Sequence, residues 1–416
     1  MDRRPGTIEE LTIEHLGPIS KVTIHPRPLT ILVGPQASGK SLIAQLLYFF
    51  QDLRGHLGRK FSPAIKQQRN WQAHLVRSVL DDLRGVSFGA FANGTACLCY
   101  RSAGSSDQWD LSVYHATRAA YLRNQLRDAI SEWVKAWEET PDEIAGLDFR
   151  TKIFLPTERS LFTRLSSSPS NLYSDSHPEP FKAFAQLLFR AGLTYDLIRK
   201  KHLPLVDSRR SGRRTSWFKT VTPEVLRLGQ VALKGEAYLP VGGPQAWRWQ
   251  VHDEGGIPLS RRGGLPISIP IEATASGQSE AWPLFVVCAI YGWRPGATLY
   301  IEEPEAHLHP KALVQVVQAI ALMIRHGCRF VVTTHSPFLL FKVNNLLQVH
   351  ESGQDLADDC TAIAPEEVAA YRMDADGSAV DILDRADTHL IDAGELNAIA
   401  DQLGREFEEL LYQRAT

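Results

Sequence analysis

The sequence predicts an α/β fold in which a parallel sheet carries a phosphate-binding loop, joined by an antiparallel β lobe and a mainly helical insertion. Three observations lead there. A glycine-rich GxxxxGK[ST] pattern at 34–41 lies between a short apolar run and a helix-forming run. Two further apolar runs, Thr298 to Ile301 and Phe330 to Thr334, end respectively in Glu302-Glu303 and in His335. Apolar runs of this length bounded by polar residues suit strands buried on both faces.

Leu29 to Val33 forms the first buried strand, and Ser41 to Leu53 reads as an amphipathic or buried helix. Between them, Gly34-Pro35-Gln36-Ala37-Ser38-Gly39-Lys40-Ser41 satisfies every fixed position of the phosphate-loop pattern. At average glycine usage the pattern arises by chance in on the order of one chain in a hundred of this length, and the flanking strand and helix lower that further. The residue types suit anion binding. Gly34 and Gly39 let the backbone approach phosphates, and the helix N-terminus at Lys40, Ser41 and Leu42 adds partial positive charge. Lys40 reaches the β and γ phosphates of a nucleotide, and Ser41 is a magnesium ligand.

In an open α/β sheet, ligands sit at the C-terminal edge of the strands. Glu302 therefore suits a magnesium ligand there, and Glu303 suits a general base that polarises the attacking water. His335, at a strand tip beside two carboxylates, can contact a γ phosphate and register its presence. Upstream, Ala273-Thr274-Ala275-Ser276-Gly277-Gln278 opens the hydrophobic run that begins at Ala281. Ser276, Gly277 and Gln278 at a helix start would offer N–H groups and a hydroxyl to an anion; a plain N-cap at Ser276 accounts for the same residues.

Taken in order, the phosphate loop, Ser-Gly-Gln at a helix start, Glu302-Glu303-Pro304-Glu305 after one strand and His335-Ser336-Pro337 after the next resemble the ABC-type heads of SMC and OLD-like ATPases. More narrowly, the chain is similar to the bacterial AAA-family ATPases with OLD-like heads of anti-phage defence operons, the PARIS ATPase subunits among them. The matching motifs cover residues 8–50 and about 265–350. Phe154-Leu155-Pro156-Thr157-Glu158-Arg159-Ser160 also resembles a P-x-E-R segment of these ATPases, and Leu11 to Leu29 their opening strand pair.

The resemblance implies hydrolysis of ATP with Mg2+ in a homodimer or higher homo-oligomer. Two ATP molecules would be enclosed between heads, with Lys40, Ser41, Glu302, Glu303 and His335 acting in cis and Ser276, Gly277 and Gln278 in trans. It further implies a partner effector, a toxin or nuclease encoded nearby; an ATP-held scaffold or a DNA-repair-type clamp are the alternatives. The chain departs from the family at Gln36-Ala37, where Asn-Gly is common, and at Thr274-Ala275, where leucine and serine are common. If Ala275 holds the usual serine position, a hydroxyl contact to the γ phosphate is missing unless Ser276 replaces it, which implies slow turnover. About 80 residues follow His335, too few for the TOPRIM nuclease of OLD proteins.

Composition narrows the remaining classes. With 416 residues, 44% hydrophobic and 22% charged, the chain suits two or three folded units at roughly 100–200 residues each, or one head with a large insertion. A formal net charge of −2 offers no global field for nucleic acid or an anionic membrane. The longest apolar stretch, Ala281 to Trp293, is shorter than the roughly 20 residues that span a bilayer. Five scattered cysteines fit neither a zinc ribbon nor a disulfide framework, and a cytoplasmic protein is expected.

The expected organisation is 1–155 for the first part of the head with its β lobe, 156–245 for a mainly helical insertion, 246–350 for the second part of the head, and 351–416 for a tail packed on it. Val86 to Tyr114 and Trp247 to Ile271 alternate as antiparallel strands do; Tyr121 to Glu139 and Phe181 to His202 have helical spacing. A basic stretch at 199–219, with Arg199, Lys200, Lys201, Arg209, Arg210, Arg213, Arg214 and Lys219 around Trp217 and Phe218, is compatible with nucleic acid, with a partner protein or with simple solvation. His307 and His309 suit a structural or nucleotide-sensing role better than a metal site, and Asp374, Asp376 and Gly377 suit a hairpin turn.

Overall fold

The computed structural model describes residues 9–52, 70–83, 92–101, 108–112, 152–157, 159, 184, 187–188, 214–238, 247–261, 264, 266–291, 296–353, 361–394 and 401–409. Its centre is a sheet of six strands in the order β13-β12-β3-β11-β10-β6. The strands are β3 (Leu29–Val33), β6 (Lys152–Leu155), β10 (Thr298–Glu302), β11 (Arg329–Thr334), β12 (Val368–Met373) and β13 (Ala379–Asp381). All adjacent pairs are parallel except β12 with β13.

Strand alternation assigns each side chain to one of two cores. Leu29, Ile31, Val33, Leu299, Ile301, Phe330 and Val332 face one cluster, while Leu32, Tyr300 and Val331 face the other. The first face is covered by α3 (Arg214–Leu233), α4 (Ser276–Tyr291), α5 (Pro310–Arg325) and α6 (Pro337–Ser352). The second receives α1 (Lys40–Gln51) and a four-stranded antiparallel lobe in the order β2-β1-β4-β5. That lobe comprises β1 (Glu10–Leu16), β2 (Ile19–Ile24), β4 (Ala92–Arg101) and β5 (Gln108–Ser112), and α2 (Trp71–Leu83) lies between β3 and β4 in sequence. Buried on both faces, the central strands need continuous apolar sequence, which is why they stand out as runs rather than alternations. Glu9, at the start of the lobe, ties it to the sheet: its carboxylate accepts from Tyr100 Oη at 2.9 Å and Arg329 at 2.9 Å.

The two alternating segments are paired strands: β4 with β5 in the lobe, and β8 (Arg248–Val251) with β9 (Ser268–Pro270) in a separate three-stranded sheet. The third strand of that sheet, β7 (Gly235–Tyr238), pairs with β8, so the expected boundary at 245 runs between two paired strands. The preceding helix α3 packs on α4 and α5, inside the main core. The segment after 350 also differs from the expected tail. Its strand β12 enters the central sheet beside β3, so it is part of the head rather than a layer laid upon it.

The expected helices at 121–139 and most of 181–202 lie outside the described residues. So does the basic stretch from Arg199 to Arg213; Arg214 and Lys219 fall on the first turns of α3. Among the described residues, no helix is long and apolar enough to cross a membrane.

The β12–β13 turn locks onto the β1–β2 turn. Asp374 N–H donates to Ser378 O at 3.0 Å, which closes the hairpin expected from the Asp-x-Asp-Gly sequence. Ser20 N–H donates to Gly377 O at 2.9 Å, and a Cβ on Gly377, whose φ is 80°, would meet Pro18 O at 2.2 Å. Replacing Gly377 with alanine combines a clash against backbone with a strained φ. It should destabilise the chain by roughly 2 kcal/mol or more, read as a lower urea midpoint at unchanged slope; an unchanged midpoint would refute this account of the turn.

Candidate active site

Four neighbouring strands deliver the candidate residues to one edge of the sheet. In spatial order, β3 leads into the phosphate loop, β11 ends at His335, β10 at Glu302-Glu303 and β6 at Pro156 to Arg159. Parallel strands with helical crossovers bring their C-termini to the same side, where loops are free to carry function.

The phosphate loop is walled in on two sides. Gly34 has φ 146°, and a Cβ there would lie 2.6 Å from Met373 O of β12. Gly39 has φ 95°, and a Cβ there would lie 2.8 Å from Ile19 Cγ1. Both positions therefore exclude a side chain. Ser38 Oγ donates to Pro35 O at 2.8 Å, closing the loop on itself. The Lys40 ammonium, nearly fully buried, donates to Gly34 O at 2.9 Å, to Pro35 O at 2.6 Å and to Ser38 Oγ at 3.3 Å. Burial pushes its pKa down to about 8, against the opposing pull of Glu303 and Glu305. Pro35, Gln36 and Ala37 are exposed, and Ser41 and Leu42 begin α1 behind Lys40. Ala37 has φ 59°, left-handed backbone at the place where the resembled family carries glycine.

Glu302 is buried, with Oε1 accepting from Gln45 Nε2 at 3.2 Å and Oε2 from Thr157 N–H at 3.4 Å. Gln45 lies one turn after Ser41 on α1, so the serine and this carboxylate share one end of the loop. Glu303 turns out of β10 with φ 43°. Its N–H donates to Thr333 O at 3.0 Å, and its Oε1 lies 3.2 Å from His335 Nε2. Glu305 then holds the tip of β11, accepting from Thr334 Oγ1 at 2.7 Å and from His335 N–H at 2.6 Å. The structure thus brings Lys40, Ser41, Glu302, Glu303 and His335 to one edge.

The signature-like residues lie elsewhere. Ser276 is the first residue of α4 rather than its cap; Ala275 precedes it, and Gln278 Oε1 accepts from Ala275 N–H at 3.3 Å, one half of a capping box. Gln278 Nε2 donates to Leu233 O at 2.7 Å, so this carboxamide is engaged within the chain rather than offered to an anion. The N–H groups of Ser276 and Gly277 have no acceptor within the helix, as at any helix start. Gly277 abuts the loop after the acidic pair: a Cβ there would lie 2.4 Å from His307 O. Further along α4, Glu280 O meets Arg159 of β6's loop. This end of α4 thus lies beside the loops that follow β6 and β10, which stand three and two strands from β3 in the sheet.

His309 caps α5, its Nδ1 accepting from Lys311 N–H at 3.2 Å, and His307 Nε2 lies 3.5 Å from Glu280 Oε1. Both histidines have structural partners. Among the described residues no group of three or more His, Cys, Asp or Glu side chains is arranged to hold a metal ion. Three residues of the site have no role assigned from sequence: Gln45, Glu305 and Arg159. Arg159 is fully buried and donates to four main-chain carbonyls. Burial pushes its pKa down, and Glu280, Glu302, Glu305 and Glu303 counter that. Its place in the P-x-E-R segment was the available signal, yet nothing in the sequence shows that this arginine points inward.

Residues 269–340 match the family model described as "AAA domain, putative AbiEii toxin, Type IV TA system". The matched stretch contains the head of α4, the acidic pair and His335, and it excludes the phosphate loop. No curated protein matches the chain. Among solved structures, the Smc head bound to the C-winged helix domain of ScpA is similar at 18% identity and TM-score 0.40, over 89% of this chain and 95% of that one. The SMC head domain from Thermotoga maritima is similar at 11% identity and TM-score 0.36, over 90% and 98%. A nucleotide-free ATP-binding cassette from an ABC transporter is similar at 9% identity and TM-score 0.31, over 90% of each chain. Residues 269–340 are thus similar to an AAA domain, and the phosphate loop on β3 and the acidic strand end on β10 give the same sheet edge the form of a P-loop nucleotide site.

A left-handed alanine costs roughly 1 kcal/mol relative to glycine. Ala37→Gly should therefore stabilise the chain by about that amount in urea unfolding, with the phosphate loop's ligand affinity retained; a destabilised variant would show that the Ala37 side chain contributes packing the geometry does not reveal.

Proposed function

We propose that the chain binds and hydrolyses ATP as an ABC-type head, with two ATP molecules enclosed between two copies, and that closing and opening of this dimer controls a partner effector in anti-phage defence. The observation that supports the dimer is the placement of Ser276 and Gly277, whose N–H groups have no acceptor within their helix, beside the loops after β6 and β10 rather than at the loop after β3. On this reading a second copy supplies the helix start that meets a nucleotide on Lys40. The match to a family described as a toxin of a toxin–antitoxin system supports a defence setting.

The donor set fits nucleotide and metal. Gly34 and Gly39 hold the loop against Met373 and Ile19 in a form no side chain could take, Lys40 offers a buried ammonium whose present acceptors are loop carbonyls and a hydroxyl, and Glu302 offers a buried carboxylate beside Gln45 of α1. Ser41 and Glu302 would hold Mg2+, which when bound neutralises charge on the phosphates. Lys40 would exchange its carbonyl partners for β and γ phosphate oxygens. Glu303 would take a proton from water as the water oxygen bonds to the γ phosphorus and the bond to the ADP oxygen breaks. His335 would orient the Glu303 carboxylate through its 3.2 Å contact and meet the γ phosphate on its other side. A serine hydroxyl at the helix start in trans would complete the enclosure.

ATP turnover by the purified chain tests this reading. Lys40→Ala and Glu303→Gln should each lower turnover by about 10²-fold or more, and Glu303→Gln should trap a species of twice the mass in MgATP on a sizing column. Unchanged turnover in both variants and no change of size would overturn it. In the second reading, an ATP-held scaffold, the unsubstituted chain itself forms the stable larger species with no measurable turnover.

Lys40 adds a pH signature. Because burial sets its pKa at about 8, the free protein sheds this proton as pH rises through 8, whereas phosphate oxygens would hold the charged form. Binding above pH 8 must then take up a proton, so MgATP affinity should fall by about tenfold per pH unit there and stay flat below pH 7. Calorimetry at pH 9 in two buffers of different ionisation enthalpy reads the proton directly. Equal heats in both buffers would exclude Lys40 as the linked group.

A further inference from the structure

Glu303 occupies left-handed backbone, φ 43°, a conformation that costs a non-glycine residue roughly 1–3 kcal/mol unless its surroundings impose it. Two groups do so. On one side its N–H donates to Thr333 O at 3.0 Å and to Thr333 Oγ1 at 3.2 Å. On the other, its carbonyl accepts from Arg159 Nη2 at 3.0 Å. The same guanidinium donates through Nη1 to Glu302 O at 2.6 Å and Pro156 O at 2.9 Å, and through Nε to Glu280 O at 3.4 Å. One rigid plane thus joins the ends of β6 and β10 to helix α4, and none of it reaches solvent.

On the reading that Glu303 is the general base of an ATPase, we propose that Arg159 is a positioning residue: it sets the main-chain conformation of Glu303 according to where α4 lies, and so links the helix that faces a second copy's nucleotide to the base acting on the chain's own. A fork with fixed angles between its N–H groups cannot follow Glu280 O without turning against Glu302 O and Glu303 O. The loop from Glu303 to His309 gives a second strut. Its His307 carbonyl presses on Gly277 at the head of α4, and His307 Nε2 lies 3.5 Å from Glu280 Oε1. Helix and base therefore shift together.

The geometry at stake is small, and its effect on rate is large, since displacement of a catalytic group by about 1 Å costs about 10²-fold. Arg159 touches neither the phosphate loop nor Lys40 in any of its four hydrogen bonds, so nucleotide affinity should not follow turnover.

Arg159→Lys keeps a cation and loses the fork. Turnover per chain able to bind MgATP should drop about 10²-fold, with the MgATP dissociation constant within about twofold of the parent's. Arg159→Lys combined with Glu303→Gln should be no slower than Glu303→Gln alone, because the arginine acts through the residue already removed. Arg159→Gln is the second variant should the lysine not fold. Turnover within a few-fold of the parent would overturn the proposal, as would affinity falling in step with turnover, independent effects in the double variant, or failure of both arginine variants to fold. Lys40→Ala and Glu303→Gln run beside them separate the two failures: if these leave turnover intact, the ATPase reading falls, and if they abolish it while Arg159→Lys does not, only the positioning role falls.

Discussion

Four glutamates, Glu280, Glu302, Glu303 and Glu305, crowd the C-terminal edge of the central sheet around a single fully buried arginine. Carboxylates gathered this closely repel, and a buried guanidinium without partners would be costlier still. The arrangement satisfies both at once. The N–H groups of Arg159 bond main-chain carbonyls, which leaves the carboxylates unconsumed while its charge offsets theirs. Glu302 is then free to face Gln45 and the start of α1, Glu303 to face His335, and Glu305 to hold the tip of β11. The main chain of the acidic pair is held by that buried cation.

The phosphate loop rests on a second constraint, the enclosure of β3. With β11 on one side and β12 on the other, the strand is hydrogen-bonded along both edges, and the loop that follows has Met373 and Ile19 against its two glycines. The hairpin after β12 is itself fastened to the β1–β2 turn. Residues drawn from the first 40 and the last 50 positions of the chain therefore shape one small cradle. The C-terminal segment helps build the site even though it supplies no motif residue. Beyond it, the exposed helical residues 401–409 carry Leu403 and Phe407 on their surface.

Much of the framework was legible from local pattern. Buried parallel strands leave uninterrupted apolar runs, so Leu29 to Val33, Thr298 to Ile301 and Phe330 to Thr334 could be located without any tertiary information, and the residues that follow each run had to lie at one sheet edge. The Asp374-x-Asp376-Gly377 turn and the alternating segments at 86–114 and 247–271 carried equally local signals. The strand β12 did not stand out as part of the sheet. Val368 to Met373 has the composition of many short strands, and only pairing with β3, more than 330 residues away, decides where it goes.

By itself, then, the sequence determined which residue types arrive at the ends of strands: a glycine-framed lysine and serine, two adjacent glutamates, a histidine. Those identities follow from spacing within a few residues, where backbone geometry is nearly fixed. Tertiary structure alone decided how they are held. It turned Gln278 inward to Leu233, set Ala37 and Glu303 in left-handed backbone, joined Glu305 to His335, and buried Arg159 beneath the acidic pair. Such contacts join positions up to 144 residues apart, and their energies depend on burial and on which way a side chain points, neither of which a local pattern encodes.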